Sequence, residues 1–536
     1  MKKLLWSMVL FVAFDSCYAS VKGGEFKMSF DVAPTTLNPL SATDGYTSDV
    51  KKYVLDNLLK RNLDTYEWEP ALAKSWSISK DGKVFEFILR DNVKWHDGKP
   101  LTAEDVKFSF DAIVDPTNKY KTAHLKPVYE NISEVKILPG NKIQFFVKKL
   151  YFDNFSAAAT LDVVPAHIYK NPTSEFSKTL NKTMIGSGPY KLDNFDRAKG
   201  ITLIKNPDWW GKDLDFFKAQ YNFEKVSIKF IPDQDVEVQK IEKGDLDYLP
   251  MSSEVYFKKT NSNKWGKEIK KVEIKNNSPR GYGFIAFNLK NEIFKNLKVR
   301  KAVAHLFNRR EMIKKFLFNK SVPATGPLYL QSEYANQEVK PIEYDVKEAI
   351  KLLKEEGWEL KEGDQFLSKI ISGKKTLLSF TILEPMQDFV KYLTIFKEDA
   401  KQAGVDVNIK TIEWNSFIKL IDERKFDSVR LAWSGGDIDW DPKQIWHSDS
   451  YLNQGSNLGG YSNKLVDQLI DESRMEMDKN LRIKKLKEVY KLIAEDVPYI
   501  FMFNNASMYY GVNSKIGKLK DTYKYGAGVT YWWMNK

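Results

Sequence analysis

Cysteine occurs once in these 536 residues, at Cys17, inside an N-terminal apolar stretch. No intrachain disulfide is therefore possible, and a fold of this length must be held by buried apolar surface. The stretch narrows matters further. Lys2 and Lys3 precede an apolar run from Leu4 to Phe14, too short to cross a bilayer as a helix, and Cys17-Tyr18-Ala19-Ser20 offers a cleavage point after Ala19. This reads as a secretory signal peptide over 1–19. The competing reading is a lipoprotein leader acylated at Cys17, which fits less well because Phe14 and Asp15 stand where small apolar residues belong. Cleavage removes the only cysteine. What remains is too long for one compact core, so two or three domains are expected. No later segment is apolar for long enough to span a membrane, and the mature chain is expected to be soluble and outside the cytoplasm.

The formal charge of +12 raises the question of a nucleic-acid or membrane-surface partner. Its distribution argues against one. The 83 Lys and Arg are scattered among 71 Asp and Glu, and basic runs such as Lys148-Lys149 are no longer than pairs. A solvated, lysine-rich surface explains the excess, and no nucleic-acid partner is expected.

Strand and helix patterns mix along the whole chain, without repeats or low-complexity linkers. Val84 to Leu89 alternates apolar and polar residues, a turn follows at Asp91-Asn92, and Asp97-Gly98 is a strong turn pair, so this region reads as a β-hairpin leading into a turn. Thr102 and Asp105 have capping-box spacing before Val106, Phe110 and Ile113 at helical period. The segment Asn296 to Asn319 reads as a helix, with Val299, Ala302, Val303, Leu306 and Phe307 facing inward and Arg300, Lys301 and Arg309 facing water. A second helix carries Phe389, Leu393, Phe396 and Ala400 and stops at Gly404. A strand, a short helix over Phe417 to Ile421 and the strand "DSVRLAW" follow, an α/β pattern with crossovers. That last strand runs into "LAWSGGDIDWDP", residues 431–442, a loop with three aspartates and two tryptophans. Open α/β sheets commonly place ligands at such carboxyl ends.

No enzymatic constellation emerges. Gly281-Tyr282-Gly283-Phe284-Ile285-Ala286 has the G-x-G-x-x-A spacing, but "NNSPR" precedes it and a strand pattern follows, where a dinucleotide site needs a strand before and a helix after. His96, His124, His167, His305 and His447 are dispersed without metal-ligand spacing. No catalytic residue, metal site or cofactor is predicted.

The segment "FEFILRDNVKWHDGKPLTAEDVKFSFDAI" resembles the signature of the bacterial family 5 extracellular solute-binding proteins, the peptide-binding components of ABC importers. "VPAHIY", "IGSGPYKLDNF", "ITLIKNPDWWG", "FNLKNEIFKNLKVRKAVAHLFNRREMI", "ATGPL", "YSNKLVDQLI" and "IAEDVPYIFMF" continue the similarity in family order. "TYWWMNK" at the carboxyl end leans toward the YejA-like branch.

The resemblance implies an α/β fold of the periplasmic binding protein type (type II, cluster C): two lobes, a hinge-bounded ligand cleft and an extra domain. Carried over, residues 20–58, 185–285 and 505–536 form lobe I, 59–184 an extra domain inserted in it, and 286–504 lobe II, with hinge crossings near 285 and 505. It also implies a non-catalytic periplasmic receptor, monomeric, that closes on a short peptide and delivers it to an inner-membrane ABC permease. In peptide-binding members an aspartate of the 431–442 loop neutralises the ligand's α-ammonium group. That aspartate usually stands four residues before the proline, but position 438 is Ile and the loop is longer here, which makes Asp437 the first candidate and Asp439 the second, with Asp441 a third. An Asx-rich turn capping backbone amides is the alternative for any one of them. Arg430 resembles a position that meets the ligand's carboxylate, although a strand-surface salt bridge would serve as well. Ser434, Gly435 and Gly436 belong to the same loop, and Trp433 and Trp440 either wall the cleft or are core. In the first lobe, Ala33, Pro34, Thr35 and Thr36 are candidates for main-chain pairing with the ligand. Relatives that carry nickel, haem, glutathione or oligosaccharide keep those solutes open, and a secreted hydrolase with paired carboxylates is the remaining competitor.

Overall fold

The computed structural model describes residues 23–535 except 43, 118, 121, 123, 124, 172–178, 434, 453 and 454. The expected leader, Cys17, His124 and Ser434 lie outside the described residues.

Two groups of sheets divide the chain. In the first, a four-stranded sheet has the order Glu25–Phe30, Lys225–Phe230, Gly200–Lys205, Tyr190–Asp196. The first two strands run parallel and the others antiparallel. A three-stranded sheet of Tyr248–Met251, Met508–Asn513 and Ile269–Ile274 brings the C-terminal segment back into this lobe. Residues 73–147, within the expected insertion, make their own antiparallel sheet, Ala73–Ile78, Val84–Leu89, Lys142–Val147, Ile132–Leu138. Its core is continuous with that of the lobe, for Phe87 and Phe145 belong to the same buried cluster as Phe26, Leu203 and Val226.

Val84–Leu89 is a strand, as its alternation predicts, but its partners are Ala73–Ile78 and Lys142–Val147. The residues after Asn92 instead close a small loop around Asp97-Gly98, with Trp95 N donating to Lys99 O at 2.8 Å and Leu101 N to Val93 O at 3.0 Å. The helix Ala103–Val114 follows, with Asp105 Oδ2 accepting from Thr102 N at 2.9 Å.

The second lobe is built on a five-stranded mixed sheet, Asp406–Thr411, Ser379–Glu384, Ser428–Trp433, Tyr282–Phe287, Tyr499–Phe501. Alternation in Tyr282–Phe287 assigns the two faces: Ile285 and Phe287 enter one buried cluster, Phe284 and Ala286 the other. All six residues of this strand pair with Ser428–Trp433, so the first passage between lobes lies before Tyr282, not at 285. The second falls between Phe503–Asn505, which pairs with Ser321–Pro323, and Met508–Asn513.

The segment expected as one helix is two, Leu297–His305 and Arg309–Leu317. Asn308 starts the second by accepting from Glu311 N at 3.1 Å. Arg300 and Arg309, expected to face water, are buried. Arg300 donates to the Asp496, Val497, Phe294 and Lys295 carbonyls, satisfying the end of the helix Lys479–Asp496. Helical period places both arginines away from the apolar stripe, but the end of Lys479–Asp496 covers Arg300, and the Phe501 and Ile342 carbonyls cover Arg309.

Candidate functional site

Residues 275–281 and 506–507 connect the lobes, and Arg280 ties the first passage to the start of the second by donating from Nη1 to Asn505 O at 2.9 Å. Between the lobes lies a cavity of about 1270 Å³. The first lobe contributes the end of the strand Glu25–Phe30, Tyr46, Arg61 and residues 526–531, and the second Phe316 and residues around Phe389. The lobes also touch directly: Lys391 Nζ of the second is 2.6 Å from Glu254 Oε2 of the first.

One strand edge opens on this space. Gly24 and Phe30 carbonyls accept from Lys225 and Ile231 amides, so the ladder to Lys225–Phe230 uses alternate residues and leaves Glu25, Lys27 and Ser29 facing the other way. Lys27 is satisfied there by Asp247, whose Oδ2 accepts from its amide at 2.9 Å. Ser29 comes next and lines the cavity. The expected pairing segment, Ala33–Thr36, lies outside the cavity wall. The Thr35 carbonyl accepts from Arg197 Nη2 and the Thr36 carbonyl from Thr47 Oγ1, both at 2.6 Å. Pro34 is buried and has no amide hydrogen. On this edge the main-chain groups left free beside the cavity are therefore those of Ser29. In the second lobe, Ser428–Trp433 pairs with Ser379–Glu384 only at Ser428 and Val429, so residues 430–433 have no ladder partner on that side, and like Ala33–Thr36 they lie outside the cavity wall.

The loop after Trp433 leaves that strand as its sequence suggests. Gly435 passes so close to the interlobe segment that a Cβ there would stand 2.3 Å from Pro279 O, and Gly436 turns the chain at φ +66°. The three aspartates then diverge. Asp439 accepts from Tyr334 Oη and lies 3.7 Å from Arg482 Nη2, within its own lobe. Asp441 reaches the inserted region, accepting from Tyr151 Oη at 2.7 Å and from Arg474 Nε at 3.0 Å, while Arg474 Nη1 holds Glu130 at 2.6 Å. Asp437 is exposed; it accepts from Tyr66 Oη of the other lobe and from Ile438 N at 2.6 Å. Of the three, it alone has no ion-pair partner within 4.0 Å among the described residues.

Arg430 is committed elsewhere. It grips buried Glu384 with two nitrogens, Nε to Oε2 at 2.6 Å and Nη2 to Oε1, and its guanidinium lies 3.8 Å from the Phe389 ring centroid. This is an interior pair, not a strand-surface bridge. Glu384 Oε1 also accepts from Met386 N at 2.7 Å, so the pair holds the segment that presents Met386 and Phe389 to the cavity. Trp440 is core, and Trp433, half-buried, stacks on Phe284 at 5.7 Å.

Sequence reasoning missed the partners across the gap: Tyr66, Tyr151, Asp153 and Arg61. Arg61 lines the cavity and stacks on Trp68, with Cζ 3.5 Å from the ring centroid, while its Nη1 donates to Tyr66 O at 2.7 Å. Burial, then Asp437, drives the Tyr66 hydroxyl pKa far above its ordinary value. Burial, with the charges of Asp437, Asp441 and Asp439, raises the Asp153 carboxyl to about 7. The Tyr66–Asp437 and Tyr151–Asp441 contacts have no local signature, since their partners are 371 and 290 residues apart. Among the described residues, no group of three or more His, Cys, Asp or Glu is placed to hold a metal ion, and no helix is long and apolar enough to cross a membrane.

This architecture has known counterparts. Residues 67–455 match the model of the bacterial extracellular solute-binding proteins, family 5 middle region. The chain is 27% identical over 534 residues to the oligopeptide-binding protein AppA of Bacillus subtilis, covering 96% of this chain and 92% of AppA. The structure of AppA in complex with a nonapeptide superposes with a TM-score of 0.83 at 25% identity, covering 96% of this chain and all of AppA's (100%). NikZ of Campylobacter jejuni, in complex with Ni(L-His), gives 0.78 at 26% identity, covering 96% and 99%. The probable peptide-binding protein YejA of Agrobacterium fabrum is 25% identical over 570 residues, covering 96% and 90%, so identity does not single out the YejA-like branch. A match across residues 67–455, most of the chain, together with two lobes around a shared cavity, establishes that the chain belongs to the family 5 bacterial extracellular solute-binding proteins.

Proposed function

We propose that this protein captures short peptides between its lobes and hands them to an ABC permease of the inner membrane. It works as a monomer in the periplasm after export by a leader cleaved at Ala19, with acylation at Cys17 as the less favoured route. Like the family, it binds its solute without catalysis, and the peptide leaves unchanged. The carrying observation is Asp437, the one aspartate of its loop without a cationic partner among the described residues, which meets Tyr66 of the other lobe although it does not itself line the cavity. A peptide's α-ammonium supplies that partner, replacing the Tyr66 hydroxyl on the carboxylate. The open flank of 430–433 and the free edge at Ser29 pair with an extended backbone whatever its side chains, and the cavity's aromatic wall takes side chains without selecting one. Gly435, Gly436 and Trp433 shape the loop that presents Asp437. Asp439 and Asp441 brace it.

Thermal unfolding with candidate solutes tests this reading. A peptide at 100-fold excess over its Kd stabilises by about 2.7 kcal/mol. The expected result is a shift with short peptides and none with nickel–histidine, haem, glutathione or oligosaccharide. A shift with one of those solutes and none with peptides overturns it, and cleavage of bound peptide abolished by a cleft substitution would do the same.

A further inference from the structure

The second lobe holds another pocket, of about 420 Å³, that shares no residue with the cleft. Its wall comes from the helices Leu297–His305 and Lys479–Asp496, the strand Tyr499–Phe501 and residues 338–342. Arg309 belongs to this wall and is only 5% exposed. Two of its nitrogens are used internally, Nε donating to Phe501 O at 2.6 Å and Nη1 to Ile342 O at 2.7 Å. Among the described residues, Nη2 has no hydrogen-bond partner and no carboxylate lies within 4.0 Å of the guanidinium. Glu343, whose charge favours the Arg309 ion, is taken by Arg310. Burial lowers the Arg309 pKa to about 10, so the group is still a cation at neutral pH. The cation is held by two carbonyls and by the Phe307 ring, 5.3 Å from Cζ, with no carboxylate to balance its charge among the described residues.

The surroundings supply more positive charge. Lys301, Lys340 and Lys491 line the pocket with Arg309, against Glu338 and Glu495, and neither Lys301 nor Lys491 makes an ion pair among the described residues. A guanidinium with N–H groups left over in the wall of a small cavity, and three ammonium groups in the same wall, suits an oxyanion.

We propose that this pocket binds a small tetrahedral oxyanion, phosphate or the phosphoryl group of a small metabolite, independently of the cleft. The anion completes the pairing of Arg309 and joins the two helices to the central sheet's edge strand.

Calorimetric titration of the full-length protein with inorganic phosphate at constant ionic strength, repeated with a small phosphate monoester, tests the proposal. Substituting Arg309 would also orphan the Phe501 and Ile342 carbonyls, so the variant of choice is Lys301→Gln with Lys491→Gln. Saturable binding near one equivalent, weakened about tenfold or more in the double variant, supports the site. Phosphate tighter than the ester identifies the free ion as occupant, and the reverse a phosphoryl metabolite. Absence of heat beyond a chloride control, or equal affinity in the double variant, overturns it. Cleft binding should be the same in both proteins, which separates failure here from failure of the peptide reading.

Discussion

Replacing Arg430 by Met should destabilise the second lobe while leaving the protein indifferent to the charge at a peptide's carboxyl end. The substitution strands Glu384, a fully buried carboxylate whose two oxygens now face Arg430 and whose Oε1 also accepts from Met386 N. Removing one member of a buried pair typically costs ~3–5 kcal/mol, because the remaining charge stays desolvated. At roughly 2–4 °C per kcal/mol for a unit of the second lobe's size, the melting transition should fall by roughly 6–20 °C. Pairing the change with Glu384→Leu removes the orphaned charge, and most of the loss should return. Scanning calorimetry on the two variants measures this. Peptide affinity should fall with Arg430→Met because Met386 and Phe389 lose their support, yet free-acid and amidated forms of one peptide should bind wild type equally. A strong preference of wild type for the free acid, abolished by Arg430→Met, would refute this reasoning and give Arg430 to the ligand's carboxylate. A fall of less than 1–2 °C would refute it from the other side.

Other consequences can be checked separately. Asp153 holds its proton in the folded state up to about pH 7, whereas an unfolded aspartate loses it near 4. The folded state is thus the more protonated one, and stability should decline as pH rises from about 4 to about 7. Asp153→Asn should flatten that part of a urea-midpoint profile, and an unchanged slope contradicts the assignment. Gly435→Ala drives a methyl group into Pro279 O and must lift the loop off the interlobe segment, so peptide affinity by calorimetry should drop while the far-ultraviolet dichroism stays native. The Lys391–Glu254 contact is partly exposed on both sides, so Glu254→Gln should change stability by less than ~1 kcal/mol, less still in high salt. A larger, salt-independent loss would mean that this contact governs closure.

Much of the scaffold was legible because its signals are local. The helix Val390–Gln402 ends before Gly404 at φ +74°, and the alternation of Tyr282–Phe287 sorts its side chains to two faces. Family order then supplied the two-lobe arrangement, which no periodicity encodes. Failures occurred where a partner comes from far along the chain. Arg300 and Arg309 look solvated on a helical wheel, yet carbonyls at 496–497 and 501 bury them. Arg430 looked available because Glu384, 46 residues earlier, bears no sign that it points at the same strand. The loop's aspartates were visible as a group, but their division among Tyr66, Tyr334 and Arg474 depends on three separate segments meeting there.

Titration calorimetry of one short peptide, with its amino terminus free or acetylated, against wild type and Asp437→Asn tests the capture of peptides by their ammonium end most directly. Free peptide should bind wild type at least about 10²-fold more tightly than either the acetylated peptide binds wild type or the free peptide binds Asp437→Asn, as expected when closure on the peptide desolvates Asp437, exposed in this structure, and its charge then loses its partner. The acetylated form should hardly distinguish the two proteins. Equal affinity of free and acetylated peptides for wild type would contradict the account for the whole loop, and a loss seen only in the matched Asp439→Asn control would move the anchor to Asp439.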